Sequence, residues 1–220
     1  VQHLATIGVR KVGAACVAGP GGQDFMNMLR KSVNATGGAV ELVSEAMVAG
    51  DGSNVTDAAD QIIRAQPQAV ILYLIGTLAI DLIRRVSRAG RYPSYFGISI
   101  LSGEAVAKAL GPDLRGLTSC QVVPYPWSKS DPTAREFQQL CVARNVPVNY
   151  YTYEGYVNAL FTIDVLQRVG MNLGRSALHR ALRNYRGKVG GMDLDFTAGT
   201  SAGGRFVELV HVRPDGSFIR

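Results

Sequence analysis

Gly19-Pro20-Gly21-Gly22 follows an apolar run and precedes a helical pattern, the setting in which glycines let backbone N–H groups approach an anion at a helix N-terminus. A dinucleotide fingerprint would need a third glycine where Asp24 stands, and a phosphate loop would need Gly-Lys-Ser/Thr, which is absent. The turn therefore reads as one that lets a small ligand approach a helix end. Gly199-Thr200-Ser201-Ala202-Gly203 spells the G-x-S-x-G of a hydrolase nucleophile, but it precedes a strand, and His211 comes before Asp215, the reverse of the required order. A surface loop is the reading that fits. His3, His179 and His211 fall in different segments, and Cys16, Cys120 and Cys141 form no C-x-x-C pair, so neither a metal site nor a general-base constellation is indicated. Asp193 and Asp195 share one side of a strand, as a solvated face would have them. Thr152-Tyr153-Glu154-Gly155-Tyr156 opens a long apolar helix. Its tyrosines suit the gripping of a small ligand, and Thr152 as N-cap with core aromatics explains the segment equally well.

The elements that must position these residues are legible as a rhythm. Apolar runs at 12–18, 39–43, 69–75, 95–100 and 117–123 alternate with amphipathic stretches, and each of the first four runs is followed by one. Runs without polar alternation suit strands covered on both faces, and helices between them suit parallel crossovers. The expected fold is α/β: a doubly wound parallel sheet with helices on both faces, whose ligands bind beyond the carboxyl ends of the strands. The run at 69–75 is the most hydrophobic and is expected at the centre, with Leu72 covered on both sides. Helices are expected at 23–35, across Val55 to Ile63, after Ile75, and at 104–110. At Pro124-Tyr125-Pro126-Trp127 the rhythm breaks, since two prolines in three residues belong neither to a central strand nor to a helix interior. A hinge or crossing segment is expected there. Helices follow at 132–144, 152–169 and 175–184, and Pro214-Asp215-Gly216 between apolar runs signals a hairpin turn.

Composition agrees with a globular chain. Of 220 residues, 47% are hydrophobic and 18% charged, enough to bury a sizeable core. The excess of 23 Lys and Arg over 17 Asp and Glu lies largely on Arg84, Arg85, Arg88 and Arg91, and on Arg175, Arg180, Arg183, Arg186 and Lys188. Both stretches read as wet faces of amphipathic helices, with Ile83, Val86, Leu178 and Leu182 as the buried stripe, so no nucleic-acid partner is expected. No cofactor is called for. No segment approaches the length of a membrane span, no signal-peptide pattern opens the chain, and its start at Val1 suggests a processed chain or a piece of a longer one.

In their order, several segments resemble the type I periplasmic solute-binding proteins of bacterial ABC transporters, in the branched-chain amino acid (Leu/Ile/Val-binding-like) branch. They are Ala5-Thr6-Ile7-Gly8-Val9-Arg10-Lys11-Val12, Gly22-Gln23-Asp24-Phe25, Val122-Val123-Pro124-Tyr125-Pro126, Tyr153-Glu154-Gly155-Tyr156-Val157-Asn158-Ala159 and Gly204-Arg205-Phe206-Val207-Glu208-Leu209 with Pro214-Asp215-Gly216. The resemblance implies two doubly wound lobes that close over a solute like a hinge. Residues 1–123 would be the second lobe, 124–190 the hinge crossing and helices of a partial first lobe, and 191–220 a C-terminal return segment with a hairpin. The start of the first lobe is missing, either cut away or supplied by another chain. By position, the resemblance assigns ligand contacts to Gly21, Gly22, Ile75, Gly76, Thr77 and Ser99, with Tyr153 and Tyr156 added from the hinge side. The family's aromatic residue on the first loop is replaced by Gly21, and Leu74 and Ile75 make the third loop apolar. The implied protein is a non-enzymatic, periplasmic receptor that passes a small carboxylate-bearing solute, an amino acid or an aromatic acid, to an ABC permease. The residues alone leave open a nucleotide-binding or sensory regulator domain, or an enzyme, on a similar fold.

Overall fold

A computed structural model of the protein describes residues 1–101, 104–114, 116–171, 173–199 and 202–220. Thr200 and Ser201 of the G-x-S-x-G motif lie outside the described residues. The chain forms two compact units, Val1–Cys120 with Leu209–Arg220, and Gln121–Glu208.

The first unit is built on parallel strands β1 (Lys11–Val17), β2 (Glu41–Val48), β3 (Ala69–Tyr73), β4 (Ser94–Gly97) and β5 (Leu117–Gln121). The sheet order is β2-β1-β3-β4-β5-β8-β9, where β8 (Glu208–Val212) and β9 (Phe218–Ile219) form an antiparallel hairpin around the Pro214-Asp215-Gly216 turn. Helices α1 (Gln2–Thr6) and α2 (Pro20–Asn34) cover one face, packing Leu4, Met26, Leu29 and Val33 on Val12, Ala14, Cys16 and Ala69. Helices α3 (Val55–Ala65), α4 (Gly76–Arg88) and α5 (Glu104–Leu110) cover the other, with Ala58, Ile62, Leu82, Ile83 and Val86 against Ala15, Val70, Leu72 and Leu74. Side chains of β3 thus alternate between two cores, which is why its sequence shows no polar alternation.

The expected doubly wound α/β sheet is the observed one. Boundaries differ where local chemistry decides them. α2 starts at Pro20, whose fixed φ and missing N–H suit the first helical position. β2 runs on to Val48 because Ala46 and Val48 face the core while Glu45 pairs with Arg30 of α2.

The second unit holds α6 (Pro132–Arg144), α7 (Tyr150–Val169), α8 (Arg175–Arg183) and a hairpin of β6 (Arg186–Val189) and β7 (Met192–Asp195). The Asp131 side chain caps α6, accepting from the N–H groups of Thr133 at 2.8 Å and Ala134 at 3.3 Å. The N-cap of α7 is Asn149 rather than Thr152: the helix begins earlier than its apolar pattern, and Thr152 is the reciprocal partner in a capping box. The hairpin was not expected. Its turn, Gly190-Gly191, takes φ of 57° and 81°, and a Gly-Gly pair between two short runs is the signal that would have found it. Asp164 of α7 accepts from the Tyr185 hydroxyl at 2.6 Å and from Nη2 and Nε of Arg168 at 3.0 and 3.1 Å, while the guanidinium lies 4.2 Å from the Tyr185 ring centre.

Leu72 is fully buried between the two helical layers. Leu72→Ala should lower the unfolding free energy by about 2–5 kcal/mol, and Leu72→Asp, placing an unpartnered charge there, should prevent folding, as circular dichroism with urea titration will register. The hydrogen bonds from Tyr185 and Arg168 hold the Asp164 carboxyl below its ordinary range. A depressed folded-state value means that the stabilisation is complete above the unfolded value of about 4 and is lost as pH falls through the folded one. The urea midpoint should therefore be flat near neutrality and fall below about pH 4, with a shallower acid slope in Asp164→Asn.

Candidate functional site

The strand order reverses between β1 and β3, since β2 lies on one side of β1 and the chain crosses back to β3 on the other. At such a point the connections leave the sheet toward opposite faces and open a crevice beyond the carboxyl ends. α2 leaves β1 through Gly19, whose φ of 126° is accessible to glycine, and α4 leaves β3 through Ile75 and Gly76, the latter at φ 54°. Neither Gly19 nor Ile75 gives its helix a side-chain cap. The first-turn N–H groups of a helix have no intrahelical acceptors, so these two helix starts present donors and positive potential at the mouth.

The loops are drawn together. A β-carbon on Gly21 would stand 3.6 Å from the Tyr73 hydroxyl, so the turn after β1 touches the end of β3. The Tyr73 ring stacks on Phe25 of α2, with centroids 5.1 Å apart and planes 14° from parallel. On the other side, a β-carbon on Gly52 would lie 3.1 Å from Leu78 Cδ2, joining the turn after β2 to the first turns of α4. Asn54 fixes that turn, accepting from the Ala49 N–H at 2.7 Å and donating to the Met47 carbonyl at 3.0 Å.

Of the sequence-predicted residues, Gly21, Gly76 and Thr77 are exposed at this mouth, and Ile75 is 52% exposed. Gly22 is buried beneath it and has a packing role: a β-carbon there would fall 1.8 Å from the Val17 carbonyl oxygen. Ser99 is partly buried, two residues past β4 and in a turn closed by the Leu101 N–H on the Ile98 carbonyl at 2.8 Å. The Ser119 hydroxyl holds the same carbonyl at 3.3 Å. Because β3 and β4 are parallel and pair up to Leu72 and Gly97, the chain leaves β4 toward Ser99 at the same end of the sheet at which β3 leads to Ile75. The sequence reading missed Tyr73. An aromatic with a polar tip closing an otherwise aliphatic strand, next to an expected loop site, is the signal that could have found it.

Tyr153 and Tyr156 belong to the second unit. Tyr153 is fully buried, its ring 4.9 Å from that of Phe137 and 6.3 Å from that of Tyr156, and burial beside Asp131 pushes its hydroxyl up to about 12. Tyr156 is partly buried. This unit also has an open hollow of about 600 Å³ lined by Arg186, Lys188, Asp193, Asp195 and Arg205. Arg186 and Asp195 pair there at 3.5 Å, with the arginine side chain 80% exposed. Solvated, opposed charges of this kind hold no fixed binding geometry, in contrast to the backbone groups at the first unit's strand ends. Cys16, beneath the first loop, is buried with Sγ 3.1 Å from Met47 Sδ, and burial pushes its thiol up, which marks it as a packing residue.

The family described as periplasmic binding protein matches residues 1–216, and the chain belongs to that family. A substrate-binding periplasmic protein from Ralstonia solanacearum is similar at 26% identity and a TM-score of 0.83, covering 99% of this chain and 63% of its own. An extracellular ligand-binding receptor from Verminephrobacter eiseniae shares the fold at 23% identity and a TM-score of 0.83, over 100% of this chain and 63% of its own. A candidate branched-chain amino acid ABC transporter protein from Rhodospirillum rubrum does so at 18% and 0.77, over 99% and 62%. The chain thus spans less than two thirds of the length of these structures. No curated protein matches the sequence. Among the described residues, no helix is long and apolar enough to cross a membrane.

The two neighbouring glycines of the first turn should separate fold from site. Gly22→Ala drives a methyl into the β1 backbone and should lower the melting temperature steeply, whereas Gly21→Ala, in ordinary contact with Tyr73, should leave it within about 2 °C in a thermal melt.

Proposed function

We propose that the protein is the binding component of an extracytoplasmic receptor, which captures a small carboxylate-bearing solute and presents it to an ABC permease without altering it chemically. The observation that carries this reading is the convergence of two helix starts without side-chain caps, those of α2 and α4, at the order reversal of the sheet in a chain of the periplasmic binding protein family. Donors of that kind accept a carboxylate without a dedicated cation. Gly21 lets the solute come close to the α2 backbone, Gly76 and Thr77 offer the start of α4, Ser99 adds a hydroxyl, and exposed Ile75 meets the apolar remainder. Gly22 keeps the first turn in place. Within the second unit, Tyr153 supports the ring of Tyr156, the further contact that the family resemblance assigns.

Residues 1–123 are read as one lobe of the receptor, 124–190 as the hinge crossing and helices of the other, and 191–220 as the returning segment. Closure about the Pro124 region would couple capture to delivery, the closed form being selected by the solute it holds. The family membership supports this reading, as do the extracellular and periplasmic descriptions of the similar structures.

Isothermal titration of the whole protein against L-leucine and benzoate tests the proposal, and at least one should bind with a Kd in the micromolar range or below. Ser99→Phe should weaken that binding by about tenfold or more while leaving the melting temperature nearly unchanged. Heat from neither solute, together with a thermal shift on adding a nucleotide, would transfer the chain to the regulator class.

A further inference from the structure

We propose that the exposed face of α8, with the turn leading into it, is a docking surface for an anionic lipid bilayer. Between Asp164 and Asp193 the chain has six arginines and lysines and neither Asp nor Glu. Three of the six are balanced by acids that the fold brings to them: Arg168 by Asp164 at 3.0 Å, Arg186 by Asp195 at 3.5 Å, and Lys188 by Asp193, its cross-strand partner. Arg175, Arg180 and Arg183 have no ion-pair partner among the described residues. All three are exposed, and the helical period sets them with exposed His179 on one side of α8, while partly buried Leu178 and Leu182 turn the other way. The chain reaches this helix through Met171 and Leu173, which are 98% and 62% exposed. The start of α8 at Gly174 has no side-chain cap, so first-turn N–H groups add donors beside Arg175.

The occupant follows from the two features together. An acidic protein segment or a nucleic acid would answer the arginines and leave Met171 and Leu173 in water. A second copy of this chain would bring the same positive face, and like charges would oppose the contact. A bilayer with anionic head groups answers both: phosphates meet the unpaired guanidinium groups, and the apolar side chains ahead of Arg175 enter the boundary between head groups and acyl chains. Each such arginine strengthens binding by about fivefold, so three of them give a weak, reversible contact. The surface lies wholly within the second unit and uses no residue of the strand-end mouth, so its failure would leave the receptor reading standing.

Co-sedimentation of the whole protein with phosphatidylcholine vesicles, pure or with about one third phosphatidylglycerol, tests the proposal. The anionic vesicles should bind the protein about tenfold or more above the neutral ones, and added salt should weaken that binding. Reversing the charges together in Arg175→Glu, Arg180→Glu and Arg183→Glu should lower binding to the neutral-vesicle level. The same reversal at exposed Arg85, Arg88 and Arg91, on α4 and the turn after it, should leave binding within about threefold of the parent. Met171→Asp with Leu173→Asp should weaken binding about threefold or more with the arginines intact, and this variant decides alone if circular dichroism shows that the α8 variant has lost its fold. Equal binding to the two kinds of vesicle, equal loss from the two arginine triples, or undiminished binding in the Met171 and Leu173 variant overturns the proposal. Release from the vesicles by inorganic phosphate at about 1 mM also overturns it and assigns the arginines to a soluble anion.

Discussion

The first unit depends on how closely α2 is seated on the end of β1. At Gly22 the helix backbone comes so near the strand that a β-carbon would lie 1.8 Å from the Val17 carbonyl oxygen and 3.2 Å from Cys16 Sγ. That seat follows from a turn of four residues, Gly19-Pro20-Gly21-Gly22, in which one glycine supplies a positive φ, proline fixes the first helical residue, and the last glycine removes the obstacle. The approach brings Phe25 over the face of β3 that carries Tyr73 and leaves the Gly21 backbone bare at the mouth. A looser turn would move the helix start away from the strand ends and dissolve the crevice.

The same economy runs through the sheet. Ala69, Ile71 and Tyr73 face the α1–α2 layer, whereas Val70, Leu72 and Leu74 face the α3–α4 layer, so one short strand ties two cores together. Its neighbours are β1 and β4, placing β3 next to the order reversal. A strand tied into both cores therefore also leads into the turn at the mouth. A binding constellation on a rigid element needs less ordering when ligand arrives.

Much of this was legible in the chain, for reasons that also mark the limit. The apolar runs exposed the parallel sheet because strands covered twice cannot carry polar alternation, and glycine and proline punctuated the helices because they decide φ locally. A doubly wound sheet directs attention to the loops beyond its strand ends, while the choice of Gly21, Ile75 and Ser99 among them came from the family resemblance. Tyr73 was not seen, because an aromatic inside an apolar run reads as core until the neighbouring turn is known to lack a side chain beside it. Asn149 was passed over as a cap because α7 starts with two tyrosines ahead of the residues that set its apolar pattern. The Gly190-Gly191 hairpin was missed because each arm has only four residues, two of them charged, a weak strand signal.

Side-chain caps close α6 and α7 but not the helices that start at the order reversal, and α1 and α8 also start without one. α6 and α7 are closed by Asp131 and Asn149, which satisfy first-turn N–H groups with side-chain oxygens. α3 directs its Asn54 to the turn before it, fixing the backbone beside α4. α2 and α4, whose starts flank the order reversal, have glycine and isoleucine where a capping oxygen would stand. Replacing a capping side chain by alanine typically lowers stability by about 0.5–2 kcal/mol and by glycine only a few tenths, so it is the α4 start at Ile75, more than the α2 start at Gly19, that forgoes stabilisation. A carboxylate at those N–H groups would restore it, and would favour the folded, occupied state by mass action. Under the proposed function, a capping oxygen supplied by the chain at these starts would compete with the solute for the same donors.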